Sequence, residues 1–213
     1  MIPTRPFRPK PANARDKLLE AAVRLVRMQG FSGTSVEQLC AEAGVTKGAF
    51  FHHFASKEQL GIAAAQYWSR STGEFFASAP FHHEADPAAR VLGYIDLRIA
   101  LISGPAESFS CVAGTMLQES FATNPAIRDA CAASIGANAR ALEDDIAAAF
   151  AACGRSEPDA ASLAHHVQTV IQGAFVTAKA LPPEAAASAA RESLGHLRRY
   201  LEMLLVQETA LAR

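Results

Sequence analysis

The 213-residue sequence predicts an all-α fold of about nine helices. Three observations carry that prediction. Apolar residues recur at three- and four-residue spacing, as in Leu18, Ala21, Ala22, Leu25 and Val26. Alanine-rich runs such as Ile146 to Ala152 favour helix, and aromatic residues are only 8% of the chain. β-branched runs are few, which argues against a large sheet.

Each helix can be placed by its end signals. Residues 1–12 read as a flexible basic arm, because Arg5-Pro6, Arg8-Pro9 and Lys10-Pro11 exclude helix. The first helix spans about Asn13 to Gln29, with Gly30 as its C-terminal cap. The second begins at Thr34 or Ser35: Ser35-x-x-Gln38 forms a capping box, and Thr34-x-x-Glu37 is an alternative frame. Gly44 ends it, Val45 tucks inward, and Thr46 caps a short third helix through His53. Ser56-x-x-Gln59 caps a fourth, reaching about Phe76. Ser78 to Ala85, with Pro80 and two histidines, reads as a loop. Asp86-Pro87 opens a fifth helix that stops near Ser103-Gly104-Pro105. A sixth covers Glu107 to Ala122. Asn124-Pro125 opens a seventh that ends at Cys153-Gly154, and Pro158-Asp159 opens an eighth ending before Pro182-Pro183. The ninth covers Glu184 to near Glu208.

Composition excludes several classes. The chain suits a small module fused to a larger one, with enough length to bury a core. Residues 1–60 hold nine Lys/Arg against five Asp/Glu, while the remainder holds eleven against sixteen. A basic head on an acidic body points to a polyanionic partner for the head. Cys40, Cys111, Cys131 and Cys153 are widely spaced, without Cys-x-x-Cys or zinc-type spacing, so free thiols in a reducing cytoplasm are expected. The N-terminus lacks the apolar stretch of a secretory signal, and no uncharged run of about 18 residues suggests a membrane span. No metal or other cofactor is expected, since the neighbours in His82-His83 and His165-His166 point in different directions on a helix. No nucleophile–base set, phosphate loop or paired-carboxylate motif indicates an enzyme.

The informative segment is residues 35–54, SVEQLCAEAGVTKGAFFHHF. It has the pattern of two short helices joined at a steep angle by a tight turn. Gly44 suits a turn needing positive φ, and Leu39, Val45 and Phe50 can share a core. Thr46, Lys47, Gly48, Ala49, Phe51 and His52 are then left on the exposed tip of the second of these helices. Small residues there let a backbone approach DNA closely, and a helix N-terminus favours phosphate.

The stretch from about Ala14 to Tyr67 resembles the DNA-binding domain of the TetR family of regulators. The matching residues are Gly30-Phe31-x-x-Thr34-Ser35-Val36, Ala43 through Phe54, and Ser56-Lys57-Glu58. The resemblance implies a helix-turn-helix domain at residues 13–60 and a ligand-binding and dimerisation domain at 61–213. It implies that Thr34 or Ser35 holds a phosphate, that Thr46, Lys47 and Gly48 face the major groove, and that Phe51, His52, His53 and Lys57 meet the backbone. Thr46 serves equally well as an N-cap, and His53 as a structural hydrogen-bonding group. Phe51 departs from the family's common tyrosine, and Cys40 from its common alanine. The arm residues Arg5, Arg8 and Lys10 could reach a minor groove or adjacent phosphates.

Beyond the head, the fourth to eighth helices are expected to enclose an effector pocket. Its candidate apolar lining is Trp68, Phe75, Tyr94, Leu97, Phe109, Met116, Phe121 and Phe175, with Arg98, Gln118, Glu119 and Gln172 as polar handles. The stripes Leu163, Val167, Val170, Ile171, Ala174, Phe175, Ala178 and Leu194, Leu197, Leu201, Leu204, Leu205 suit either core or a homodimer built from the last two helices. The leading expectation is a repressor that an unknown small-molecule effector releases from a palindromic double-stranded operator. One alternative is an electrophile- or redox-sensing regulator working through Cys111, at the start of the sixth helix. Another is a helical small-molecule-binding protein whose N-terminal module contacts protein instead of DNA.

Overall fold

The computed structural model describes residues 13–155 and 159–206. Among these, every regular element is helical: α1 (Ala14–Gln29), α2 (Val36–Ala43), α3 (Lys47–His53), α4 (Lys57–Ala77), a 3-10 turn at Pro80–His83, α5 (Pro87–Leu101), α6 (Ala106–Phe109), α7 (Val112–Ser120), α8 (Pro125–Ala152), α9 (Ala160–Ala178) and α10 (Pro183–Leu205). The basic arm and the chain beyond residue 206 lie outside the described residues.

Two differences from the predicted elements have local causes. The expected sixth helix is broken into α6 and α7. Cys111 takes an extended backbone (φ −85°, ψ 126°) and its sulfur accepts from the Gly114 amide at 3.4 Å, so it starts α7 as an N-cap. The expected loop at Ser78–Ala85 contains a 3-10 turn, which Pro80 opens without needing an amide donor.

Several of the other ends follow side-chain chemistry. The Asn13 carbonyl accepts from the Asp16 amide at 3.0 Å. Ser35 and Gln38 form the reciprocal capping box, with the Ser35 amide donating to Gln38 at 2.8 Å and the Gln38 amide donating to Ser35 at 3.2 Å. Thr46, Asp86 and Asp159 accept first-turn amides of α3, α5 and α9. Gly44 adopts φ 62°, a left-handed conformation that side chains disfavour, and this lets the chain turn sharply from α2 into α3.

The chain packs as two compact units. The first comprises residues 13–73 and 110–135, and the second 74–109 and 136–206. In the first, α1 packs on α2, α3 and α7, and α2 packs on α3. Leu18, Leu19, Leu39, Phe50, Phe54 and Leu60 close their shared core. In the second, α10 packs on α5, α6 and α9, and α9 also meets α6. The stripes of α9 and α10 belong to this core: Val167, Ile171, Leu194 and Leu201 are fully buried within the chain. Only Val170 and Leu204 of those stripes are partly exposed.

Phe50 is the largest fully buried side chain and stacks at a tilt on Phe54, with ring centroids 6.0 Å apart. Phe50→Ala is therefore expected to destabilise the first unit by about 3–5 kcal/mol. Urea denaturation followed by the loss of helical circular dichroism checks this; a cost under about 1 kcal/mol would contradict the packing.

Candidate functional site

The apolar faces of α2 and α3 turn inward through Leu39 and Phe50, so the polar residues at the start of α3 turn outward. Thr46, Lys47, Gly48, Phe51 and His52 are exposed, and His53 is half-buried. Phe51 is 52% exposed although it is a large apolar ring, and it meets Phe50 edge-on at 5.1 Å. His52 and His53 stand ring-edge to ring-face with centroids 4.9 Å apart. The Thr46 hydroxyl accepts from the Ala49 amide at 3.1 Å, so it caps α3 while staying at the surface.

Lys47 is held by Glu37 of α2, with Nζ and Oε1 2.5 Å apart and both side chains exposed. Hydrogen bonding and opposite charge lower the Glu37 pKa and raise that of Lys47, so the pair is ionised around neutral pH. Gly48 has no steric reason to be glycine. A methyl group added there would meet only the Thr46 hydroxyl, at 3.8 Å.

Two residues expected at phosphate are occupied within the protein. Thr34 is buried and donates its hydroxyl to the Gly30 carbonyl at 2.6 Å. Lys57 donates to the carbonyls of Phe31 and Thr34 at 3.1 and 3.0 Å, with its ammonium over the Phe31 ring. Both therefore hold the loop between α1 and α2 in the free protein, leaving Ser32 and Ser35 as its exposed hydroxyl residues. The family resemblance implies phosphate roles for both, and in the free protein their donors go to the loop's carbonyls.

The same loop has an anchor that sequence reasoning assigned elsewhere. Glu119 of α7 was expected as a pocket handle. Its carboxylate instead accepts from the Ser32 amide at 2.7 Å and lies against Gly30. Ser32 and Glu119 are 87 residues apart, and no local pattern reports such a pairing.

The expected pocket residues fall in both units. In the first, Trp68 is half-buried under the Arg27 guanidinium, 5.5 Å from its ring. Met116 and Cys111 are buried, Gln118 is exposed and bonds back to Gly114, and Phe121 is 62% exposed. In the second, Phe75, Tyr94, Leu97, Phe109 and Phe175 are buried, with Phe109 and Phe175 edge-to-face at 5.7 Å, and Gln172 is half-buried. Arg98 lies over Phe76, 4.0 Å from the ring centroid.

Cys111 shares its surroundings with Cys131, whose thiol is pushed up to about 12, chiefly by burial and further by the nearby Cys111 sulfur. Burial also raises Cys40. Cys153 is half-buried and donates its thiol hydrogen to the Leu205 carbonyl at 2.8 Å.

Residues 18–64 match the family described as bacterial regulatory proteins, tetR family. Residues 87–206, more than half of the chain, match the C-terminal domain of LmrA/YxaF-like transcriptional regulators. The chain belongs to the TetR family. It is 28% identical over 120 residues to the HTH-type transcriptional regulator LmrA of Bacillus subtilis, covering 56% of this chain and 63% of that protein. It is 42% identical over 57 residues to the HTH-type transcriptional repressor AcnR of Corynebacterium efficiens, covering 27% of this chain and 30% of that one. The matched segments thus span under two thirds of the length of either relative. A TetR-family regulator from Agrobacterium tumefaciens shares the fold, with a TM-score of 0.76 at 20% identity over 92% of this chain and 100% of that one.

In this TetR-family chain, the first match takes in α1 to α3 and the start of α4, and the second runs from α5 through α10. The thiols provide a test of how its interior is closed. At pH 8 a thiol with a pKa of about 12 is ionised in roughly one molecule in ten thousand, and the thiolate is the reactive form. Iodoacetamide is expected to modify Cys153 first and to leave Cys40 and Cys131 intact until urea unfolds the protein. Peptide mapping after timed quenching checks the order; early modification of Cys131 would contradict its burial.

Proposed function

We propose that this chain is a DNA-binding transcriptional regulator, a repressor that a small-molecule effector releases from a palindromic operator. Residues 13–60 carry the DNA interface, and residues 61–213 the effector-binding and dimerisation functions. The observation that supports it most directly is Gly48. Glycine in a helix costs about 0.5–1 kcal/mol relative to alanine, yet nothing in the free protein requires it there. A bare position between exposed Lys47 and half-buried Ala49 suits close approach to a base edge or phosphate. The name of AcnR, a transcriptional repressor, agrees with this reading.

In this reading Ser35, Thr46, Lys47, Gly48, Phe51, His52 and His53 face the duplex. Thr34 and Lys57 act indirectly, by holding the α1–α2 loop that carries Ser35. Lys47 exchanges Glu37 for phosphate or a guanine edge on binding, which makes affinity strongly salt-dependent. Selection from random duplex DNA tests the whole proposal, with Gly48→Ala and Lys47→Ala as comparisons. The wild-type chain is expected to enrich a palindrome. Gly48→Ala is expected to fold about 0.5–1 kcal/mol more stably and yet bind that operator at least about tenfold more weakly. Lys47→Ala is expected to lower the slope of log affinity against log salt by about one. Failure to enrich any sequence, or wild-type affinity in Gly48→Ala, would overturn the assignment.

A palindrome needs two heads about 34–36 Å apart, hence a dimer. The outward residues of α9 and α10 are the proposed contact: Gly173 and Val176 on α9, and Tyr200 and Met203 on α10. Met203 is 67% exposed and Val176 41%, high values for large apolar side chains. Met203→Glu is expected to convert a dimer into a monomer at low micromolar concentration, as measured by light scattering on a sizing column. An unchanged mass would move the interface elsewhere.

A further inference from the structure

The second unit contains a polar cluster whose hydrogen bonds do not close. Arg98 is half-buried on α5 and donates through Nε and Nη2 to the Tyr94 hydroxyl, at 2.9 and 2.6 Å. Its guanidinium lies 4.0 Å from the Phe76 ring centroid and 5.0 Å from that of Tyr94. Among the described residues, no carboxylate reaches it within ion-pair distance. The contrast within the same unit is clear. Arg90, two turns earlier on α5, pairs with Asp145 at 2.6 Å, and Arg198 of α10 pairs with Asp96 and Glu202.

The Tyr94 oxygen is also overcommitted. It receives a third donor, Nε2 of Gln168 on α9, at 3.1 Å. A phenol oxygen accepts about two hydrogen bonds and must place its own hydrogen as well. Gln168 is 1% exposed, and its Oε1 has no partner. Exchanging the amide's oxygen and nitrogen does not repair this. Oε1 could then accept from the Tyr94 hydroxyl, but Nε2 would be stranded in its place. In the orientation found the orphan is an acceptor, Oε1, and in the exchanged one it is the donor Nε2; in both, Arg98 keeps a full positive charge with no acid beside it. Such an arrangement costs stability in isolation. A ligand bearing a negative acceptor would meet the Arg98 charge and, with the amide exchanged, the stranded Nε2.

We infer that Arg98, Tyr94 and Gln168 form the headgroup end of the effector site and select small organic acids with an apolar body. A carboxylate there gains the guanidinium charge and hydrogen bonds from Arg98 and Gln168, and frees Tyr94 from its extra donor. The rings of Phe76 and Phe81, with centroids 5.2 and 6.0 Å from that of Tyr94, give the surroundings an apolar character that suits the rest of such a molecule. This deepens the proposed function, since it rests on that reading for the role of the ligand but not for its binding.

The test is calorimetric titration of the full chain with benzoate, phenylacetate and octanoate, each against its neutral amide. At least one acid is expected to bind, at least about tenfold more tightly than its amide. Arg98→Gln is expected to remove that preference. Gln168→Glu places a carboxylate of the protein's own beside Arg98, and should raise the melting temperature while abolishing acid binding. This variant decides the matter if Arg98→Gln fails to fold. Absence of binding by all three acids, equal binding of acid and amide, or wild-type titrations in Gln168→Glu would overturn the assignment. Operator release is read separately by fluorescence anisotropy. Acid binding without release would count against the effector-released repressor and leave the site standing. DNA binding by a chain indifferent to every acid would do the reverse.

Discussion

The burial of Phe50 is the constraint on which the exposed tip of α3 depends. Helices of eight and seven residues, as α2 and α3 are, do not persist alone in water, so tertiary packing must hold them. Once Phe50 and Leu39 enter the core with the apolar face of α1, the rotation of α3 about its axis is settled. Lys47, Gly48 and Phe51 are then outside, whatever their own preferences. The left-handed turn at Gly44 allows the angle, and the Thr46 cap fixes where α3 begins. The chemistry exposed at the tip is thus a by-product of packing beneath it.

Much of this was legible in the sequence, because the signals were local. The capping box of Ser35 and Gln38, the turn at Gly44 and the cap at Thr46 involve residues one turn apart or less, and they form as expected. The all-helical class and the core positions of Leu39 and Phe50 follow from periodicity alone. Pairings between distant segments were not legible. Glu119 on the α1–α2 loop and Gln168 on Tyr94 join residues 87 and 74 positions apart. The break between α6 and α7 was missed for a different reason: a cysteine is an uncommon N-cap, so no familiar residue marked the boundary. Thr34 and Lys57 were assigned to phosphate on family resemblance, where the structure shows the loop carbonyls occupying them.

In the second unit, apolar stripes and polar exceptions carry different information. The stripes of α9 and α10 are consumed by the chain's own core, so any surface they share with another molecule must use the opposite faces. The arginines divide by their partners. Arg90 and Arg198 meet carboxylates and read as supports between helices, while Arg98 meets only rings, a phenol and, through it, a glutamine. Salt bridges of this kind contribute little stability where exposed. Arg98 is informative because, among the described half-buried arginines of this unit, it has no acid within ion-pair distance.

The hold of Glu119 on the α1–α2 loop also bears on how the molecule is assembled in time. The head is encoded early in the chain, but its first unit draws α7 and the start of α8 from residues 110–135. A growing polypeptide therefore exposes α1, α2 and α3 well before the segment that covers α1 has been made. The loop amide of Ser32 and the face of α1 beneath α7 must wait for it in water or against a chaperone. For the same reason the first sixty residues are not a portable cassette. Moved onto another protein, they would carry the exposed tip of α3 but leave behind the carboxylate that pins the α1–α2 loop.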